Sequence, residues 1–95
     1  MKTDKPNLQE RTVNFNEKEI KVSNWWNWRS QGAADLYLDG EHLDQNTDSI
    51  ATGRKVLLSK YDVSEDIESI EVYVSFFFKL KVKILVNGNI IYQDK

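Results

Sequence analysis

Apolar side chains fall on every even position from residue 70 to residue 86. Ile70, Val72, Val74, Phe76, Phe78, Leu80, Val82, Ile84 and Val86 alternate with Glu71, Tyr73, Ser75, Phe77, Lys79, Lys81, Lys83 and Leu85. Successive side chains of an extended chain point to opposite faces, so the pattern predicts β-structure with one buried face and one mostly wet. A single straight strand over this stretch would reach roughly 56 Å at ~3.3 Å per residue, too long for a domain of this size. A two-residue hairpin would move the apolar set from even to odd positions, yet the parity does not change. The break is therefore a bulge, a sharp bend or an odd-length loop near Phe77 to Lys79.

Two hairpins are clearer. Asp39-Gly40 and Asn87-Gly88 sit between apolar-rich flanks, LYL and EHL in the first case, ILV and NII in the second. Both dipeptides tolerate the positive φ angles of a type I′ turn, the strongest short-range hairpin signal. Two-residue loops would pair Leu36 with Leu43 and Ile84 with Ile91 on the inner face. On the outer face they would pair Tyr37 with His42, Leu85 with Ile90 and Lys83 with Tyr92.

The hairpins belong to a candidate internal repeat. EIKV at 19–22 and SIEV at 69–72 each open a stretch of constant parity, pass an aromatic cluster and end in the Asp/Asn-Gly hairpin. Ile20 matches Ile70 and Val22 matches Val72, while Gly40 matches Gly88 after a two-residue offset. In the first copy the break falls at Arg29-Ser30-Gln31-Gly32. Between the copies, DQNTDSIATGR reads as a polar loop, KVLLSKYDV as a further strand, and SEDIES as a loop with room for one helical turn. No helix of useful length has 3.6-residue periodicity. The pattern predicts an all-β, single-domain antiparallel β-sandwich or flattened open barrel of about seven to nine strands, with a strand–hairpin duplication.

Composition adjusts this picture only slightly. The chain has 95 residues, 40% hydrophobic and 12% aromatic, which suffices for one core. Residues 1–10, with Pro6 and only Met1 and Leu8 as apolar side chains, read as a flexible N-terminal arm, and residues 11–95 as the domain. The net charge of −2 gives no expectation of nucleic-acid or anionic-membrane binding. The chain has no cysteine, which excludes disulfides, zinc–thiolate sites and thiol catalysis and fits a reducing, cytoplasmic setting. MKTDKPNLQE has no apolar run behind its lysines and is not a secretory signal in this form. No apolar stretch of the ~18 residues that a membrane span needs is uninterrupted by charge, so a soluble protein is expected.

The candidate chemistry is sparse. His42 is the only histidine, and its simplest role is a surface pair with Tyr37 across the hairpin. Asp44, Asn46 and Asp48 open like an EF-hand calcium loop, but Ser49 and Lys55 stand where glycine and glutamate are required. Asp62, Glu65, Asp66, Glu68 and Glu71 form an acidic cluster that solubilises the start of an apolar strand and shields it from aggregation. Lys79, Lys81 and Lys83 line one outer face, with Phe77 and Tyr92 as stacking neighbours. Outward lysines commonly serve to blunt edge pairing. No catalytic residue, metal ligand or cofactor is expected.

NWWNWRSQG, residues 24–32, holds all three tryptophans. Parity sends Trp26 and Trp28 inward with Ile20 and Val22, and Trp25 outward with Asn27 and Arg29. An outward tryptophan beside an arginine suits stacking on a sugar ring or pinning a partner's side chain. The reading is a non-catalytic binding or protein-interaction module, with Trp25, Arg29, Tyr37 and His42 as contact residues. Its expected partner is another protein or a second copy of itself, with carbohydrate as a further ligand class. Leu85 and Ile90 outward, with Tyr92 nearby, leave a second apolar face to be covered, so these three are the expected homo-oligomer interface. Two other readings compete with this one. One is a small metal-dependent hydrolase centred on His42, Asp44 and the acidic loop, and the other is a structural subunit of a larger assembly.

Overall fold

Three type I′ turns set the architecture. Asn16-Glu17, Asp39-Gly40 and Asn87-Gly88 each hold both central residues at positive φ, at 49° and 65°, 49° and 83°, and 54° and 81°. This twist matches that of the strands they join. The computed structural model describes residues 8–26, 32–47, 56–76 and 80–95. Among them are eight strands and no helix: β1 (Gln9–Phe15), β2 (Lys18–Trp26), β3 (Gly32–Leu38), β4 (Glu41–Asn46), β5 (Leu58–Tyr61), β6 (Ser69–Phe76), β7 (Leu80–Val86) and β8 (Asn89–Gln93). They form two four-stranded antiparallel sheets, β1-β2-β3-β4 and β5-β6-β7-β8, packed as a small β-sandwich. No helix among the described residues is long and apolar enough to cross a membrane.

The sheets share one register. Ile20 faces Leu38, Val22 faces Leu36, Asn24 faces Ala34 and Trp26 faces Gly32. In the second sheet Ile70 faces Val86, Val72 faces Ile84, Val74 faces Val82 and Phe76 faces Leu80. Five residues separate Trp26 from Gly32 and three separate Phe76 from Leu80, which is the two-residue offset seen in the sequence. Both connections have odd length, as constant parity requires. Residues 27–31 and 77–79 themselves, with Trp28, Arg29, Phe77 and Lys79, lie outside the described residues.

Each Asp/Asn-Gly turn is also clipped to the start of the strand that precedes its hairpin, β2 in the first sheet and β6 in the second. Asp39 N donates to Glu19 O at 2.8 Å, and its Oδ1 accepts from Glu19 N at 2.7 Å. Asn87 N donates to Ser69 O at 2.9 Å, and its Oδ1 accepts from Glu68 N at 2.7 Å. A short polar side chain at positive φ thus closes both hairpins in the same way.

The inner faces supply the core: Ile20, Val22, Ala34 and Leu36 from the first sheet, and Leu58, Ile70, Val72, Val74, Leu80, Val82, Ile84 and Val86 from the second. Ile67, from the β5–β6 connection, plugs one end and is fully buried. Trp26 lies on the inner parity, opposite Gly32, and is half-buried rather than central. A Cβ on Gly32 would collide with the Trp25 carbonyl, so only glycine permits this close approach.

Several sequence expectations shift. β1 begins at Gln9, two residues inside the segment read as an arm. β4 runs to Asn46, into the segment read as a polar loop. Residues 62–68 contain bends and no helical turn. A β-bulge interrupts both Gly hairpins at equivalent places, between Leu36 and Tyr37 and between Ile84 and Leu85. Tyr37–His42 and Leu85–Ile90 pair as expected, but Leu36 then faces Asp44 and Ile84 faces Tyr92. The extra residue reverses the parity beyond it. Tyr92 is therefore not an outer-face neighbour of Lys83; it turns inward and packs on the core.

Side chains sew the sheet edges together. At the β4–β5 seam, Ser59 N donates to Asp44 Oδ2 at 2.9 Å and Asn46 Nδ2 to Leu57 O at 2.9 Å. At the β1–β8 seam, Arg11 Nε donates to Asp94 Oδ2 at 3.0 Å. The same carboxylate accepts from Val82 N at 2.9 Å and from the Tyr92 hydroxyl at 2.5 Å. Near the second sheet's turn end, Asp66 accepts from Lys18 Nζ at 2.7 Å, Ser64 Oγ at 2.6 Å and Asn16 Nδ2 at 3.1 Å.

These contacts fix the expected pH dependence of stability. Hydrogen bonds from Lys18, Ser64 and Asn16 hold the Asp66 carboxyl below its ordinary range. Burial pushes Asp94 upward, but the bonds from Arg11, Tyr92 and Val82 outweigh it and the net shift is downward. For both, stabilisation is complete above the unfolded value near 4 and is lost as pH falls through the lower folded value. Tyr92, bonded to the Asp94 carboxylate and further desolvated, is raised, so its contribution holds below about 10 and is lost at higher pH. Urea midpoints measured against pH should fall at both extremes, and Asp94→Asn should flatten the acid limb.

Candidate functional site

The outer face of the first sheet is read directly from its register. One row across the strands runs Thr12, Lys21, Tyr37 and His42, and the next runs Glu10, Ser23, Asp35 and Gln45. Trp25 follows, opposite Ala33. Tyr37 and His42 stand beside one another with ring centres 5.1 Å apart, tilted by 42°. Lys21 Nζ sits 4.8 Å from the Tyr37 ring centre and 3.7 Å from Glu10 Oε2. The face is thus a band of aromatic and polar side chains, with Trp25 and the Tyr37–His42 pair on either side of a middle row.

That middle row carries the unusual feature. Ser23 and Asp35, directly opposite one another, are each 4% exposed although they point away from the sandwich core. An outward carboxylate would ordinarily be solvated, and a buried one must be hydrogen-bonded. Asp35 Oδ1 accepts from His42 Nε2 at 2.8 Å and from Gln45 Nε2 at 3.0 Å. His42, whose side chain is 47% exposed, is held in a defined orientation by a group beneath it.

Among the described residues, the groups considered for a metal-dependent hydrolase lie apart, each with its own partner. Asp44, the proposed neighbour of His42, caps Ser59 N on the inner side of the bulge. Asp66 is engaged with Lys18, and Glu71 accepts from the Tyr61 hydroxyl at 3.1 Å. Among the described residues no three His, Cys, Asp or Glu side chains converge as a metal site, and no hydroxyl is hydrogen-bonded to His42. Asp48 lies outside the described residues.

Of the expected contact residues, Trp25, Tyr37 and His42 share this face, with Trp25 and Tyr37 half-buried. Arg29 lies outside the described residues. Sequence reasoning missed Asp35, Ser23, Lys21 and Gln45. Parity alone places all four but Gln45 outward, because only the bulge brings Gln45 beside Asp35. Nothing in the sequence marks the burial of Asp35.

Leu85 and Ile90 occupy the outer face of the second sheet, half-buried and 54% exposed, with Glu71 opposite Leu85. Beside them lies a depression of about 240 Å³ lined by Tyr73, Ser75, Lys81, Lys83 and Gln93 among others. Lys83 Nζ sits 4.8 Å from the Tyr73 ring centre.

The chain matches no family model, no curated protein and no solved structure.

Proposed function

We propose that the protein is a non-catalytic binding module whose contact surface is the outer face of the first sheet, built from Trp25, Tyr37 and His42. The observation that carries this reading is the buried Asp35, which fixes a half-exposed histidine next to a tyrosine. A contact group immobilised before binding loses little freedom on binding, and aromatic side chains supply much of the energy of protein interfaces. The partner is an exposed segment of another protein, met in the reducing cytoplasm that a cysteine-free chain suits.

Photo-crosslinking residues introduced at positions 25 and 42 should give discrete adducts with a second protein in cells of the native source. The same probe at the exposed Lys60 should not. Trp25→Ala should abolish the adduct at position 42 and leave the far-ultraviolet circular dichroism unchanged. Absence of adducts at both positions would sink the reading. Retention on a glycan panel, lost with Trp25→Ala, would move the ligand from protein to carbohydrate.

A further inference from the structure

We infer that the interior of the sandwich contains a binding site for one water molecule, held by Asn24 on the inner face of β2. The inner faces of the two sheets match row by row up to this position. Ile20–Leu38 corresponds to Ile70–Val86, and Val22–Leu36 corresponds to Val72–Ile84. At the next row the second sheet continues with Val74 and Val82, whereas the first has Asn24 and Ala34. The exchange puts an amide where its counterpart is a valine and leaves two methyl groups fewer beside it. Asn24 is nevertheless as enclosed as a core residue, at 7% exposure, with Ala34 at 3%.

The same row runs on to Gln9 in β1 and Asn46 in β4, so three of its four side chains are amides. The outer two are tied to the sheet edges. Gln9 Oε1 accepts from Arg11 Nη2 at 3.0 Å, and Asn46 Nδ2 donates to Leu57 O at 2.9 Å. Asn24 Oδ1, between the sheets, is shut off from solvent and meets no donor among the described residues. A buried carbonyl left without a donor is costly, and ordered water is the common way of satisfying one. A water above Ala34 stands one strand spacing, about 4.8 Å, from both Asn24 and Asn46, in the room that the shorter side chain leaves. This site is inside the sandwich and does not depend on the contact surface proposed for the outer face.

A high-resolution crystal structure of the full chain tests it. The expected result is an ordered water above Ala34 within about 3.2 Å of Asn24 Oδ1. In solution the Ala34 methyl protons should show a nuclear Overhauser peak to water, with the sign of a long-lived rather than a surface water. Ala34→Val should abolish that peak and lower the urea midpoint, because the water is expelled and the Asn24 carbonyl is stranded. Adding Asn24→Val recreates the Val74–Val82 row, and should recover the midpoint while the peak stays absent. A crystal in which Asn24 Oδ1 bonds to a protein donor, or a wild-type Ala34 methyl with no water peak, would overturn the proposal. A double variant no more stable than Ala34→Val would also overturn it, since overpacking rather than a stranded carbonyl would then account for the loss. If Ala34→Val fails to fold, the wild-type crystal and spectrum still decide.

Discussion

Asp94→Ala is expected to lower the unfolding free energy by about 2–4 kcal/mol, the range for removing one partner of a hydrogen-bonded, largely buried ion pair. The carboxylate gathers Arg11, the Val82 amide and the Tyr92 hydroxyl at one point. The Arg11 and Asp94 side chains are only 17% and 16% exposed, so water cannot fully replace what is removed. Arg11 would keep its bond to Gln9 Oε1 at 3.0 Å but would lose its counter-charge. Chemical denaturation should show a lower midpoint with an unchanged slope, since the surface exposed on unfolding stays the same. A change below about 0.5 kcal/mol, the size of an ordinary surface substitution, would mean that the β1–β8 seam does not couple the sheets.

Ile20→Ala and Ile70→Ala should each cost about 2–5 kcal/mol, and by similar amounts. Both side chains are fully buried, and both occupy the same place in their sheet, opposite Leu38 and Val86 respectively. Truncation removes apolar contact and leaves a cavity that neighbouring strands cannot close without breaking register. Ile90→Ala is the internal control: at 54% exposure it should change stability little. If Ile20→Ala were nearly silent while Ile70→Ala was severe, only the second sheet would be organised by its core, and the equivalence of the two halves would be superficial.

The fold was legible because its main determinants repeat at short range. Period-two alternation placed Ile20, Val22, Leu36, Ile70, Val72, Val74, Leu80, Val82, Ile84 and Val86 inside, and constant parity required odd-length connections. What parity could not supply was any insertion that changes it. The two bulges cost a strand only one unpaired residue and leave no signature in composition, so Asp44 and Tyr92 landed on the face opposite to the one expected. The Asn16-Glu17 turn was missed for a different reason. Glutamate at a φ of 65° is unfavourable in isolation, and here the pairing of β1 with β2 imposes it. The candidate site was legible only in part. Trp25, Tyr37 and His42 can be placed outward from alternation, whereas Asp35 is surrounded by Ser23, His42 and Gln45 from the two neighbouring strands, which no local pattern reveals.

Every strand pairing joins consecutive strands, so each ladder forms by closing a short loop. The Arg11–Asp94 clasp is of another kind, since it ties residues 83 positions apart. Loop-closure entropy grows only with the logarithm of length, and contacts that are local in sequence favour rapid folding. Two meanders can therefore assemble independently and early, and the chain meets its longest-range contacts when they dock. The clasp then acts as a latch on docking rather than as a nucleus, so its loss should speed unfolding and leave the folding rate almost untouched.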